Sequence, residues 1–160
     1  MTPIHDLYER YAGDVYRFAL YLSGEAADAE DITADTFVRL WTTPGEIRTA
    51  TVKAYLFTIA RHLSLDRRRA RARLTSLDES LPSPAPSAED RAAIRSEVAH
   101  VRHAIRQLSE ADRAALLMRV NGLAYDEIAQ ALGASVGAVK VRVHRARKRL
   151  IDARHSGDAT

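Results

Sequence analysis

The stretch Ser135–Leu150, SVGAVKVRVHRARKRL, decides how the chain is read. At a helical period Val136, Val139, Val143, Ala146 and Leu150 recur three and four positions apart and make one apolar stripe. The opposite arc holds Gly137, Ala138, Val141, Arg142, His144, Arg145, Lys148 and Arg149. A helix of this kind buries one side and presents a cationic one. Ser135 stands where it can cap the N-terminus, accepting a backbone N–H that has no partner within the helix.

Immediately before it lies LAYDEIAQALGA, Leu123–Ala134. Tyr125–Leu132 reads as a short helix with Ile128, Ala129 and Leu132 on one side, and Gly133 occupies the left-handed position that closes it. Ala129 is small where two helices must approach closely. Two helices joined by a short glycine-containing turn, the second of them basic, form the helix-turn-helix arrangement. Nucleic-acid binding is therefore the reading to prefer over a purely structural helical hairpin.

Upstream, Ser109-Glu110-Ala111-Asp112 resembles a capping box opening a helix over Asp112–Val120, with Leu116, Leu117 and Val120 expected against the helix-turn-helix. A helix over about Ala88–Gln107 turns Ile94, Val98, Val101, Ile105 and Leu108 inward. His100 and His103 on it lie three apart, but no third ligand stands nearby, so they read as surface histidines and no metal site is expected. Three prolines in SLDESLPSPAPSAED, Ser76–Asp90, preclude a regular element and predict an extended linker.

In the first half, Leu7, Tyr11, Val15, Phe18 and Leu22 trace an amphipathic helix ending near Ser23-Gly24. A second covers about Ala26–Trp41, apolar at Ile32, Phe37, Leu40 and Trp41, with Asp28, Asp31 and Asp35 along another side. That acidic row is either a solvated face near a helix N-terminus or a docking surface for a basic partner. Pro44–Thr51 reads as a loop. A third helix, about Val52–Arg73, buries Leu56, Ile59, Ala60 and Leu63 and ends in Arg67, Arg68, Arg69, Arg71 and Arg73. An arginine run on one helix can follow a phosphate backbone. Tyr55, Phe57 and His62 lie in its earlier turns, where rings could stack on unpaired bases, although Phe57 fits a core position equally well.

Charge alternates along the chain. Residues 1–47 hold three Arg or Lys against nine Asp or Glu, 48–74 eight against one, 75–112 four against seven, and 113–154 nine against three. Two basic blocks between acidic ones suggest two contacts with a polyanion and a separate anionic surface.

Length and composition narrow the remaining classes. With 160 residues the chain can form one ordinary domain or two small ones. There is no cysteine, hence no disulfide, thiolate zinc site or cysteine nucleophile. No apolar run approaches the roughly 20 residues of a membrane span, and the N-terminus does not read as a signal peptide, which points to the cytoplasm. There is no phosphate-binding glycine loop and no nucleophile–base pair. His62 and Asp66, four apart on one helix, read as a local contact. The expectation is an all-α protein of two small helical domains, not an enzyme, with no cofactor, small-molecule substrate or membrane insertion.

Three segments in this order resemble the extracytoplasmic-function sigma factors, the two-domain initiation subunits of bacterial RNA polymerase. DAEDITADTFVRLW (Asp28–Trp41) resembles the family's polymerase-docking helix, KAYLFTIARHLSLDRRRARAR (Lys53–Arg73) the helix that melts and reads the −10 element, and LAYDEIAQALGASVGAVKVRVHRAR (Leu123–Arg147) the −35-reading helix-turn-helix. The resemblance implies a polymerase-docking and −10 domain over 1–74, a linker over 75–90, a −35 domain over 91–154 and a tail over 155–160. With nothing further after Leu150 that matches a third domain, the form expected is the minimal one.

By this resemblance Asp28, Glu30, Asp31, Asp35, Arg39 and Trp41 meet core polymerase, whose contacts are the β′ clamp coiled-coil and the β flap. Tyr55, His62, Asp66, Arg67, Arg68, Arg69 and Arg71 serve the −10 element, with the Pro44–Val52 loop helping to hold an expelled base. Tyr125, Asp126, Ser135, Lys140, Val141, Arg142, His144, Arg145 and Lys148 serve the −35 element. An anti-sigma factor is implied as a further partner, besides promoter DNA. The family usually has Gln at Ala34, Asn at His62, Thr at Ala138 and Ser at Val141, so polymerase contact and base preference are open to change at those positions. The competing reading is a stand-alone dimeric helix-turn-helix regulator, which requires a palindromic operator with half-sites about one DNA turn apart.

Overall fold

A computed structural model describes residues 4–43, 51–77 and 97–158. Among these residues every regular element is a helix: α1 (Ile4–Ser23), α2 (Ala26–Thr42), α3 (Val52–Leu77), α4 (Glu97–Gln107), α5 (Glu110–Val120), α6 (Tyr125–Leu132) and α7 (Val136–Asp158). All but Thr51 of the loop expected over Pro44–Thr51, most of the proline-rich linker, and the expected start of the fourth helix with Ile94 lie outside the described residues.

The first half is built from α1, α2 and α3 packed on one another, and the second has α4, α5 and α6 packed with α7. Apolar positions read from the sequence form these cores: Val15, Phe18 and Leu22 from α1, Ile32 and Phe37 from α2, and Leu56, Ile59 and Ala60 from α3 are all buried. Phe57 belongs to this core as well, stacked on Phe18 with ring centroids 4.7 Å apart and planes 6° from parallel. It is therefore not available to a base. Thr33 and Thr36 are buried on α2, and their hydroxyls donate to the carbonyls of Ala29 and Ile32 one turn back, so no polar atom is stranded there.

In the second half Ile105, Leu108, Leu116, Leu117, Met118, Ile128, Val139, Val143 and Ala146 are buried. Val120 differs from the expectation: at the last position of α5 it is 71% exposed. α5 begins at Glu110 rather than Asp112, and α7 continues through Asp158, into the expected tail over 155–160. Gly133 sits at φ +63°, the left-handed residue that lets α6 end and the chain turn into α7. Ser135 accepts the Ala138 N–H at 3.1 Å, so α7 opens with the expected cap.

The two halves also touch. α1 packs on α4 and α5, and α3 on α6. Arg61 of α3 donates Nε and Nη2 to the Glu110 carboxylate at 2.9 and 2.8 Å and reaches the Ala131 carbonyl at the end of α6. Thr51 donates to Glu127 at 2.7 Å. Arg113 gathers carbonyls from two helix ends, Leu22 of α1 at 2.8 Å and Ile105, Arg106 and Leu108 around the end of α4 at 2.9 to 3.0 Å. Helix C-termini leave their last carbonyls without intrahelical partners, and one guanidinium supplies donors to several of them.

Candidate nucleic-acid and partner interfaces

On α7 the buried Val139, Val143 and Ala146 fix which side faces out. Lys140, His144 and Lys148 are exposed on the outer side, Val141 is 60% exposed, and Arg142 and Arg145 lie at its edge. The expected −35 residues on α7 therefore share one surface. Tyr125 and Asp126 start α6 beside it. Two cations approach the Tyr125 ring, Arg119 at 4.4 Å and Lys140 at 5.5 Å from its centroid. Arg147, exposed next to this surface, was not among the expected contacts. It stands seven positions after Lys140, so the helical period alone would have found it.

Arg142 and Arg145 are not loose cations. Both converge on Asp112 of α5, which is 3% exposed: Arg142 Nη1 donates at 2.9 Å, Arg145 Nε at 3.0 Å and Arg145 Nη2 at 2.9 Å. The Arg145 hydrogen bonds, joined by Arg142, outweigh burial and hold the Asp112 carboxyl below its ordinary range. Only half of the expected capping box forms as a result. Ser109 accepts the Asp112 N–H at 3.2 Å, but the Asp112 carboxylate crosses to α7 instead of reaching back.

α3 divides its arginines. Arg67 lies 3.5 to 3.6 Å from carboxylate oxygens of Asp28, Asp31 and Asp35, and Arg71 pairs with Asp28. Three of the four expected docking acids and two of the expected −10 cations thus neutralise one another across the α2–α3 contact. Asp28 is 7% exposed, so its carboxylate faces α3 rather than a partner. Arg68 turns toward a cavity between the halves that Glu110 and Arg113 also line. Arg113 is pushed to a lower pKa by burial and by the charge of Arg68. Asp66 and Arg69 form an exposed pair at 3.8 Å, and His62 is exposed one turn before Asp66. Tyr55 is half-buried near the start of α3.

Glu30, Asp31, Asp35 and Arg39 are exposed on α2, as is Ala34. Trp41 is 72% exposed and Val38 54%. These two, with Ala34, Phe37, Tyr8 and Tyr16, line an apolar groove of about 620 Å³ between α1 and α2. So large an exposed ring beside apolar neighbours is the mark of a contact surface. His100 and His103 share a shallow depression with Arg149 and Gln107, and among the described residues no group of three metal-ligating side chains occurs.

Known proteins match this arrangement. The family model for Sigma-70 region 2 matches residues 7–74, and that for Sigma-70, region 4, matches residues 100–150. The ECF RNA polymerase sigma factor SigL of Mycobacterium tuberculosis is 36% identical over 146 residues, covering 88% of this chain and 82% of SigL. The chain belongs to the extracytoplasmic-function sigma factors. SigE of Mycolicibacterium smegmatis, also an ECF RNA polymerase sigma factor, is 35% identical over 166 residues, covering 99% of this chain, which spans 65% of the length of SigE. The sigma factor RpoE of Bartonella quintana, solved with the anti-sigma factor NepR, superposes with a TM-score of 0.77 at 25% identity over 93% of this chain and 94% of RpoE. The helix-turn-helix of this sigma factor is then its region 4, and the α1–α3 bundle its region 2. Ala34, His62, Ala138 and Val141, where the resemblance led to other residues being expected, are all exposed.

Proposed function

We infer that this sigma factor binds core RNA polymerase and directs it to its promoters, with α7 reading duplex −35 DNA and α3 holding the opened −10 strand. The observation that carries the reading is the presence of two cationic helices, one in each half, with an exposed anionic and apolar face on α2 beside the first of them. Residues 1–74 serve docking and the −10 element, 91–154 serve the −35 element, and 75–90 join them. Glu30, Asp31, Asp35, Val38 and Trp41 are the α2 residues left outward for the polymerase clamp. Lys140, Val141, His144 and Lys148 face the −35 groove, and Tyr125 and Asp126 lie toward the backbone. Val141 places an apolar group where a thymine methyl would be met. His62 and Arg69 serve the −10 strand directly, Arg68 does so once the halves part, and Arg67 and Arg71 once they leave the α2 acids.

The contact between the halves bears on how this works. A compact chain of this length has a radius of gyration of about 15 Å. Elements about 25 base pairs apart lie about 85 Å from one another along the duplex. The halves must therefore separate before both elements are held. A polymerase that binds each half supplies that separation and raises effective concentration, lifting avidity about 100- to 10,000-fold. The role is that of a specificity subunit in the cytoplasm rather than of an enzyme. An anti-sigma factor is a partner by analogy with the RpoE complex.

Run-off transcription with core polymerase on a randomised promoter library tests this. The expected result is a selected pair of elements near −35 and −10, and weak, non-specific binding by the chain alone. Failure to associate with core enzyme, or association without selection of start sites, would overturn it.

A further inference from the structure

Asp112 stands at the third position of α5, where a capping-box carboxylate ordinarily turns back to the start of its own helix. Here it is buried and instead accepts three hydrogen bonds from Arg142 and Arg145, 30 and 33 residues further along the chain. The two arginines are only partly covered, with side chains 35% and 49% exposed. Arg145 therefore has one edge fixed from within and another open, while Arg142 is held by one donor.

For Arg145 the fixed edge is Nε–H with one Nη2–H. A guanidinium carries five N–H donors in a rigid plane, so the end formed by Nη1 and the second Nη2–H is left over. That end, a pair of parallel donors, is the edge that meets guanine O6 and N7 in the major groove. A free arginine carries about 2 kcal/mol of side-chain rotamer entropy, so one already locked by a carboxylate loses less on binding.

We propose that Asp112 is a positioning residue for promoter recognition, which holds Arg145, with Arg142 beside it, so that Arg145 reads one guanine of the −35 element. The proposal rests on α7 being the −35 helix. Asp112 touches no DNA. Its contribution is to set the plane and rotamer of a side chain that does. The Arg145 hydrogen bonds, joined by Arg142, hold its carboxyl below the ordinary carboxylate range.

A double-mutant cycle on holoenzyme tests this, with run-off transcription from promoters carrying every base at each −35 position. Arg145→Ala is expected to abolish guanine preference at one position. Asp112→Asn is expected to reduce the same preference about tenfold, the size of one good bidentate contact, and to add nothing when combined with Arg145→Ala. Arg145→Lys, which retains the charge but not the fork, should lose the preference while leaving the salt dependence of binding nearly unchanged; if Asp112→Asn folds poorly, Asp112→Glu, which keeps the charge but shifts its oxygens, takes its place and should lower the same preference and no other. The proposal is overturned if Asp112→Asn weakens all promoters equally and additively with Arg145→Ala, which is the pattern of a merely structural residue. It is equally overturned if Arg145→Ala lowers the salt slope by about one phosphate contact with base preference intact. If the wild-type holoenzyme shows no base preference near −35 at all, the reading of α7 has failed first, and that result is distinct from the other two.

Discussion

Arg61 and Glu110, 49 positions apart in the chain, form a two-pronged ion pair that joins the halves of the molecule. Their side chains are 13% and 15% exposed. Parallel N–H to carboxylate bonds at this burial are stronger and more directional than a surface pair. The same guanidinium reaches the Ala131 carbonyl in the last turn of α6, where a positive charge is favoured.

Arg61→Ala is expected to loosen the contact between the halves and lower stability by about 1–3 kcal/mol, with Glu110 left partly buried and unpaired. Small-angle scattering should report a larger radius of gyration than for the wild type, and fluorescence labels on α3 and α6 should move apart. An unchanged radius would mean that the remaining contacts suffice to hold the halves together.

Arg113 donates to four carbonyls drawn from two helix ends. Arg113→Met keeps much of the volume and removes every donor. The expected cost is about 2–4 kcal/mol, since several half-buried carbonyls lose their partners at once. Urea denaturation measures it, and a loss below about 0.5 kcal/mol would show that water replaces the guanidinium without penalty.

Asp112 gives a pH signature with a definite sign. Its folded pKa lies below the unfolded value, so its ion pairs stabilise the protein above roughly pH 4 and the contribution is lost as pH falls through the folded pKa. The stability difference between wild type and Asp112→Asn should be constant from about pH 5 to 7, at about 1–2 kcal/mol given the half-exposed arginines. It should shrink progressively below about pH 4. A difference that grew on acidification would contradict the assignment.

Trp41 is the single tryptophan and lies 72% exposed beside Val38 in the α1–α2 groove. Trp41→Ala removes no core contact of note, so the melting temperature should move by no more than about 2 °C. If the groove meets polymerase, affinity for core enzyme should fall at least about 30-fold, the loss typical of a buried aromatic anchor. Competition binding with labelled protein and core enzyme distinguishes the two effects.

Much of this was legible in the chain. Helical period alone located the apolar faces of α1, α2, α3 and α7, because a residue every three or four positions must lie on one side of a helix whatever surrounds it. Ser135 and Gly133 marked the boundaries of the helix-turn-helix for equally local reasons: an orphan N–H needs an acceptor, and a left-handed turn favours a residue without Cβ. The acidic row on α2 and the arginine run on α3 were also plain. That they face each other was not, since the row and the run are read on separate helices and their pairing depends on how α2 packs on α3.

The sequence by itself determined the all-helical class, the helix-turn-helix and the two cationic segments, all of which follow from short-range periodicity and capping. Only the tertiary structure decided which charges remain available. It placed Asp112 under Arg142 and Arg145, Arg67 and Arg71 against Asp28, Asp31 and Asp35, and Arg61 on Glu110. A charge carries the same formal value in any sequence. Whether it meets a partner within about 4 Å depends on which helices lie side by side, and that is set by burial of apolar faces far from the charge itself.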